Sequence, residues 1–211
     1  MTEAEACVAV VRWGRSLFER GLTSGSSGNI SVRLDGGFLA TPTNSCLGFL
    51  DPDRLSRLDA EGAARDGDPP TKELSLHLAF YAGRPKAGAV VHLHSTHATA
   101  LSCLADVDPE DCIPPLTPYV VMRVGRVPLV PYRRPGSPDV AALVAARASD
   151  HPAMLLQNHG PVVAAASLDA AVYAIEELEE AARLALLTRG MAVRTLDAAQ
   201  IAELEAVFRL R

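Results

Sequence analysis

The sequence predicts an α/β fold, a mixed sheet covered by helices on both faces, in one domain over residues 1–211. Three observations predict it. Strand-like segments occur both as hairpins and singly between helical stretches, which mixes tight turns with crossover connections. No internal repeat or linker divides the chain. Its 211 residues are the size of one domain, or two small ones, and such a chain can bury roughly 70% of its unfolded surface.

The elements follow in order. Thr2 and Glu5 have capping-box spacing, and Val10, Val11, Gly14, Leu17 and Phe18 recur at helical intervals until Gly21 ends the first helix. Residues 28–34 alternate as a strand, Asp35-Gly36 supplies a hairpin turn, and residues 37–43 return. Asp51-Pro52 opens a short helical turn. A strand over 55–60 precedes a Gly/Asp/Pro-rich loop over 62–70. Thr71 caps a helix to about residue 82, with Leu74, His77, Leu78 and Tyr81 on its inner face. Residues 89–94 read as a buried strand and 95–104 as a helix. Residues 109–118 form a Pro-rich loop. Short strands over 119–124 and 127–132 lead to a helix over 139–148. Strands over 153–157 and 162–166 flank Asn158-His159-Gly160-Pro161. Ser167 caps a long helix that Gly190 stops, and Asp197 with Gln200 begins the last one.

Composition narrows the function classes. A net charge of −5 argues against a nucleic-acid footprint, which needs a basic surface. The longest apolar runs fall far short of a membrane span. The cysteines, Cys7, Cys46, Cys103 and Cys112, form no CxxC pair, and the polar start shows no signal-peptide pattern. The expectation is a cytoplasmic protein with reduced thiols.

The histidines carry the strongest chemical signal. Residues two apart on a strand point to one side, so His92 and His94 present two imidazoles together. That suits a divalent metal, most often zinc, although the pair could equally be satisfied core histidines. A third ligand must come from elsewhere. His159, in a tight turn at a strand end, is the best candidate, ahead of His77 and His151, while His97 reads as structural. Ser24 to Asn29 can form an anion-binding nest or a plain connector. Thr41-Pro42-Thr43-Asn44 closes the hairpin beginning at that loop, and Thr71-Lys72 lies at a helix start, the favoured end for an anion. Three such pieces point to a phosphorylated ligand. Glu73, in the first turn of that helix, is either a dipole-complementing residue or a general base. The run Glu176, Glu177, Glu179, Glu180 reads as a solvated helix face.

Ser26-Ser27-Gly28-Asn29-Ile30-Ser31, Thr41-Pro42-Thr43, Thr71-Lys72-Glu73, His92-Leu93-His94 and Asn158-His159-Gly160 occur in an order that resembles the class II aldolase/adducin family over nearly the whole chain. The resemblance implies a three-layer α/β/α sandwich around a central mixed, largely antiparallel sheet. It implies Zn2+, or Mn2+ or Co2+, on His92, His94 and His159, with Glu73 as acid/base. It places the phosphate among Ser27, Gly28, Asn29, Thr43, Asn44 and Thr71, with Lys72 beside it. It further implies a homotetramer with active sites between neighbouring subunits, into which Tyr119 reaches. The stretches 22–29, 41–44, 91–97 and 114–119 narrow the implied activity to loss of CO2 from 3-oxo-tetronate 4-phosphate through a metal-bound enediolate, giving dihydroxyacetone phosphate. The alternatives are aldol cleavage or epimerisation of fuculose or ribulose phosphate, dehydration of a thio-sugar phosphate, and a non-catalytic adducin-like binding module. Two departures stand out. Lys72 replaces the small hydroxyl residue that aldolases of the family carry before the glutamate, and residues 205–211 contain no tyrosine.

Overall fold

Thr2 starts the chain's first helix as its spacing to Glu5 dictates. The Glu5 N–H donates to Thr2 Oγ1 (3.3 Å) and the Thr2 N–H to Glu5 Oε2 (2.7 Å), opening α1 (Glu3–Glu19). The computed structural model describes residues 1–208, so the last three residues of the tyrosine-free stretch lie outside the described residues.

The strands are β1 (Asn29–Leu34), β2 (Gly37–Ala40), β3 (Ser56–Asp59), β4 (Ala64–Asp66), β5 (Ala89–His92), β6 (Leu129–Val130), β7 (Ala153–Leu156) and β8 (Gly160–Ala165). They form one sheet in the order β4-β3-β2-β1-β5-β8-β7-β6. Every pairing is antiparallel except β6 with β7. The sheet is therefore mixed and largely antiparallel, as expected.

Side-chain alternation splits the interior strands between two cores. Ala89 and Val91 of β5, Ala153 and Leu155 of β7, and Val163 of β8 enter one. Val90, Met154, Leu156, Val162 and Ala164 enter the other. This is why β5 and β8 read as continuous apolar runs. The first core is covered by α1, α3 (Thr96–Ser102), α4 (Pro118–Arg123) and α6 (Leu168–Leu187), with α7 (Ala198–Val207) packed at its rim. The second is covered by α2 (Leu74–Gly83) and α5 (Pro138–Ala145). Three layers result. Phe80, fully buried on α2, is the kind of side chain whose truncation costs about 3–5 kcal/mol.

Several expectations are corrected. The segment predicted as a strand over 119–124 is α4, because Pro118 at its first position presets helical φ and outweighs the strand preference of Val120 and Val121. The predicted loop over 62–70 contains β4, whose three residues are all exposed and so show no alternation to read. The inner face of α2 is Leu76, His77, Ala79, Phe80 and Tyr81, with Leu74 and Leu78 only half buried. Glu73 is the N-cap of α2, not a residue of its first turn. His94 lies beyond the end of β5. Glu179 is buried, not solvated. Its carboxylate accepts from the His97 and Ala98 backbone N–H groups (2.9 and 2.8 Å) and lies 2.8 Å from His97 Nδ1, closing the start of α3 from α6. Among the described residues no helix is long and apolar enough to cross a membrane, and the four cysteines are unpaired.

Candidate active site

The site is assembled where β5 ends and the β7–β8 turn arrives. His92 is the last residue of β5, and His159 precedes β8, its antiparallel neighbour. Asn158 holds φ at 56° to make the turn. Gly160 then passes so near the neighbouring strand that a Cβ there would lie 2.3 Å from Leu93 O. Only glycine permits that approach, and it brings His159 against His92 and His94. Gly28, at φ 80°, packs the 24–28 loop against the same strand end, where a Cβ would sit 3.0 Å from His92 O.

Three imidazoles converge edge on, with ring centroids 4.7 to 5.0 Å apart. His92 Nε2 lies 3.2 Å from His94 Nε2 and 3.3 Å from His159 Nε2. The Nδ1–H of His92 donates to Pro161 O (2.8 Å), which leaves the lone pair on Nε2, pointing inward. Burial pushes the His92 pKa down to about 3 against the opposing pull of Glu73. Partial desolvation also lowers His94, the most exposed of the three, and His159. The rings are thus neutral at pH 7, and a ring that turns its lone pair on two others is favourable around a cation.

Glu73 completes the cluster. Its N–H donates to Thr71 Oγ1 (3.3 Å), and Thr71 is tied to the end of β2 by donation of its N–H to Thr41 O (3.1 Å). The Glu73 side chain is 9% exposed, and its carboxylate lies 3.5 Å from His92 Nε2 and 3.4 Å from His159 Nε2. Burial opposes its charge. The Asn29 amide, donating to Oε2, favours it, and the Glu73 pKa lies below the ordinary carboxylate value. The ligand atoms of Glu73, His92, His94 and His159 all lie within 4.8 Å of one another. Three nitrogens and one carboxylate at this spacing fit a divalent ion.

A buried set of polar residues stands behind Glu73, and the sequence reading did not link them. Asn29, register partner of His92, donates from Nδ2 to Glu73 Oε2 (2.9 Å). His77 Nε2 lies 2.5 Å from Asn29 Oδ1, Ser31 Oγ 2.7 Å from His77 Nδ1, and Tyr81 OH 2.9 Å from Ser31 Oγ. His77 is thereby committed to this set and does not join the metal-type cluster. His151 is elsewhere, its Nδ1 beside Arg126 O.

The predicted phosphate pieces surround the same end of the sheet. Ser27 Oγ closes its own turn by donating to Ser24 O (2.6 Å). Thr43 donates its N–H to Pro69 O (2.9 Å), and Asn44 takes φ 57° beside it. Thr71 is buried and Lys72 is exposed. Lys72 packs under the 133–137 loop, where a Cβ on Gly136 would lie 3.5 Å from Lys72 Cβ. Tyr119 projects from the start of α4, 52% exposed, with the Arg123 guanidinium 5.8 Å from its ring centre.

Comparison with known proteins bears on this arrangement. The family described as Class II Aldolase and Adducin N-terminal domain matches residues 8–186. A 3-oxo-tetronate 4-phosphate decarboxylase of Escherichia coli (strain K12) is 52% identical over 198 residues, 93% of each chain. The crystal structure of YgbL from Klebsiella pneumoniae superposes with a TM-score of 0.94 at 50% identity, over 97% of this chain and 99% of that one. An L-fuculose phosphate aldolase of Haemophilus influenzae is 33% identical, over 95% of this chain and 92% of its own.

Proposed function

Since the chain belongs to the class II aldolase/adducin family, we propose that it is a metal-dependent carboxy-lyase that converts 3-oxo-tetronate 4-phosphate to dihydroxyacetone phosphate and CO2. The observation that carries this reading is the convergence of Glu73 with His92, His94 and His159, set in a chain 52% identical to a decarboxylase of that name. His92, His94 and His159 hold the ion, which we assign as Zn2+. When bound, the ion supplies Lewis acidity toward the substrate's ketone and adjacent hydroxyl oxygens.

The protein's residues do the rest. Ser27, Gly28, Thr43, Asn44 and Thr71 hold the phosphate through neutral donors. Asn29 lies at the base of this group and keeps its second Nδ2 proton for the ligand. Lys72 draws in the carboxylate without gripping it, because firm ground-state binding would oppose its departure as neutral CO2. The bond between the carboxyl carbon and C2 breaks, and its electron pair passes into the enediolate of dihydroxyacetone phosphate. One proton must then reach C2. We assign this transfer to Glu73, whose Oε2 is held by Asn29 and whose Oε1 lies 3.4 Å from His159 Nε2. Tyr119 of a neighbouring subunit is the second donor in a homotetramer whose sites lie between subunits. We place the protein in the cytoplasm as a single domain of this type.

The test is to incubate metal-loaded protein with the 3-oxo acid phosphate and follow both products. Stoichiometric CO2 and dihydroxyacetone phosphate support the assignment. Efficient cleavage of fuculose or ribulose phosphate without CO2 release would replace it with aldol cleavage.

A further inference from the structure

The polar set behind Glu73 has a direction. Asn29 presents Nδ2 to the Glu73 carboxylate, so its Oδ1 faces His77. An amide oxygen only accepts, which requires the proton of His77 on Nε2. His77 Nδ1 then carries the lone pair and accepts from the Ser31 hydroxyl, and Ser31 Oγ accepts in turn from Tyr81. Burial raises the Tyr81 pKa, so its phenol stays protonated and can donate. Every donor along Tyr81, Ser31, His77 and Asn29 therefore points toward Glu73. Were His77 protonated on Nδ1 instead, Nε2 would accept, Asn29 would turn over, and an amide oxygen would face the carboxylate. Ser31, His77 and Tyr81 are each below 5% exposed, so no bulk water stands in for a missing partner.

We propose that His77 is a positioning residue for Glu73. Held in its Nε2–H tautomer by Ser31 and Tyr81, it fixes the orientation of the Asn29 amide and through it the Glu73 carboxylate. The register builds this. Asn29 and Ser31 are two apart on β1 and share a face, and His77 and Tyr81 are four apart on α2 and share another. The proposal rests on the role assigned to Glu73 above, and its test separates the two.

Neutron diffraction from the deuterated, metal-loaded protein should place a deuteron on His77 Nε2 and none on Nδ1, with Asn29 Nδ2 toward Glu73. A deuteron on Nδ1, or an inverted Asn29, overturns the proposal whatever reaction the site runs. Kinetics give the second arm. Ser31→Ala and His77→Leu should each lower kcat about tenfold or more, the scale of one lost hydrogen bond to a charged group. Metal content should stay within about twofold of wild type, because none of the imidazoles of His92, His94 and His159 is altered. His77→Gln, whose amide can both donate and accept, should recover most of the loss. In an Asn29→Ala background His77→Leu should add almost nothing, because its effect passes through Asn29. An equal loss in both backgrounds, or no rescue by glutamine, overturns it. Should His77→Leu fail to fold, Ser31→Ala and His77→Gln still decide. Absence of CO2 release from the wild type would sink the functional reading and leave the neutron result to judge the tautomer.

Discussion

Acid should destabilise this protein in a way that replacing His77 relieves. Burial depresses the His77 pKa to about 4, against the opposing pull of Glu73, whereas a histidine in the unfolded chain titrates near about 6.5. The unfolded state therefore takes up a proton as the pH falls through about 6.5, while the folded state refuses it until about 4. The stabilisation from keeping His77 neutral is complete above the upper value and is lost as the pH falls toward the lower one. Full loss is worth about 3 kcal/mol, from about 1.4 kcal/mol per pKa unit. A second ring proton is costly here because the ring is fully buried and Nδ1, which would have to take it, already accepts from the Ser31 hydroxyl. The assay is urea unfolding of the chelated protein at fixed concentration, wild type against His77→Gln. Between about pH 7.5 and 4.5 the wild type should lose at least ~2 kcal/mol beyond what the variant loses. His92, His94 and His159 titrate in both proteins and cancel. Parallel profiles would refute the reasoning, since they would mean that His77 charges inside the fold at no cost.

Other outcomes follow from the same geometry. Glu73→Gln should lower kcat by ~10²-fold or more while leaving bound metal in place, as turnover and elemental analysis would report together. Thr43→Val should chiefly raise KM, read from initial rates across substrate concentration. Gly160→Ala must relieve a 2.3 Å approach to Leu93 O by moving the turn that carries His159. A competition titration should find metal affinity weakened by about tenfold or more, on the scale of other losses in ligand positioning. Glu179→Ala leaves the buried N–H of Ala98 and the part-buried N–H of His97 unpaired at the start of α3, and denaturant melts should show a loss of about 1–3 kcal/mol.

Much of the site was legible because it is local. His92 and His94 announce themselves by spacing, and Thr71-Lys72-Glu73 by standing at a helix start. What joins them is not local. That His159 would be the third imidazole depended on β5 pairing with β8, and spacing along the chain says nothing about pairing partners. The residues behind Glu73 show the same limit. His77 and Tyr81 were readable as one helix face, and the identities of Asn29 and Ser31 on one strand face were equally plain. Only the packing of α2 over β1 turns two polar stripes into a chain of hydrogen bonds. Glu179 departs from expectation for a related reason: an acidic run is normally solvated, and its burial is imposed by α3, whose Ala98 lies 81 residues earlier in sequence. The helix at 118–123 is hard to read from sequence because the strand preference of Val120 and Val121 conflicts with the proline that starts it.

The two margins of the sheet limit how copies of this chain can meet. At one margin β4 has three residues, all exposed, and its pairing with β3 slips between Arg57 and Leu58. At the other β6 has two residues, bounded by Pro128 and Pro131. Short, irregular or proline-flanked margins are poor templates for an incoming strand, so any contact between native copies would fall to helices and loops. The aggregation hazard therefore lies inside. Val90-Val91 of β5 and Val162-Val163-Ala164 of β8 are uncharged, rich in strand-forming residues and apolar on both faces, the composition of a segment that stacks on its own kind. They hold each other only while the sheet stays shut between them. A chain opened at that seam would expose two apolar edges at once, and conditions that loosen the β5–β8 junction should precipitate the protein before they unfold it fully.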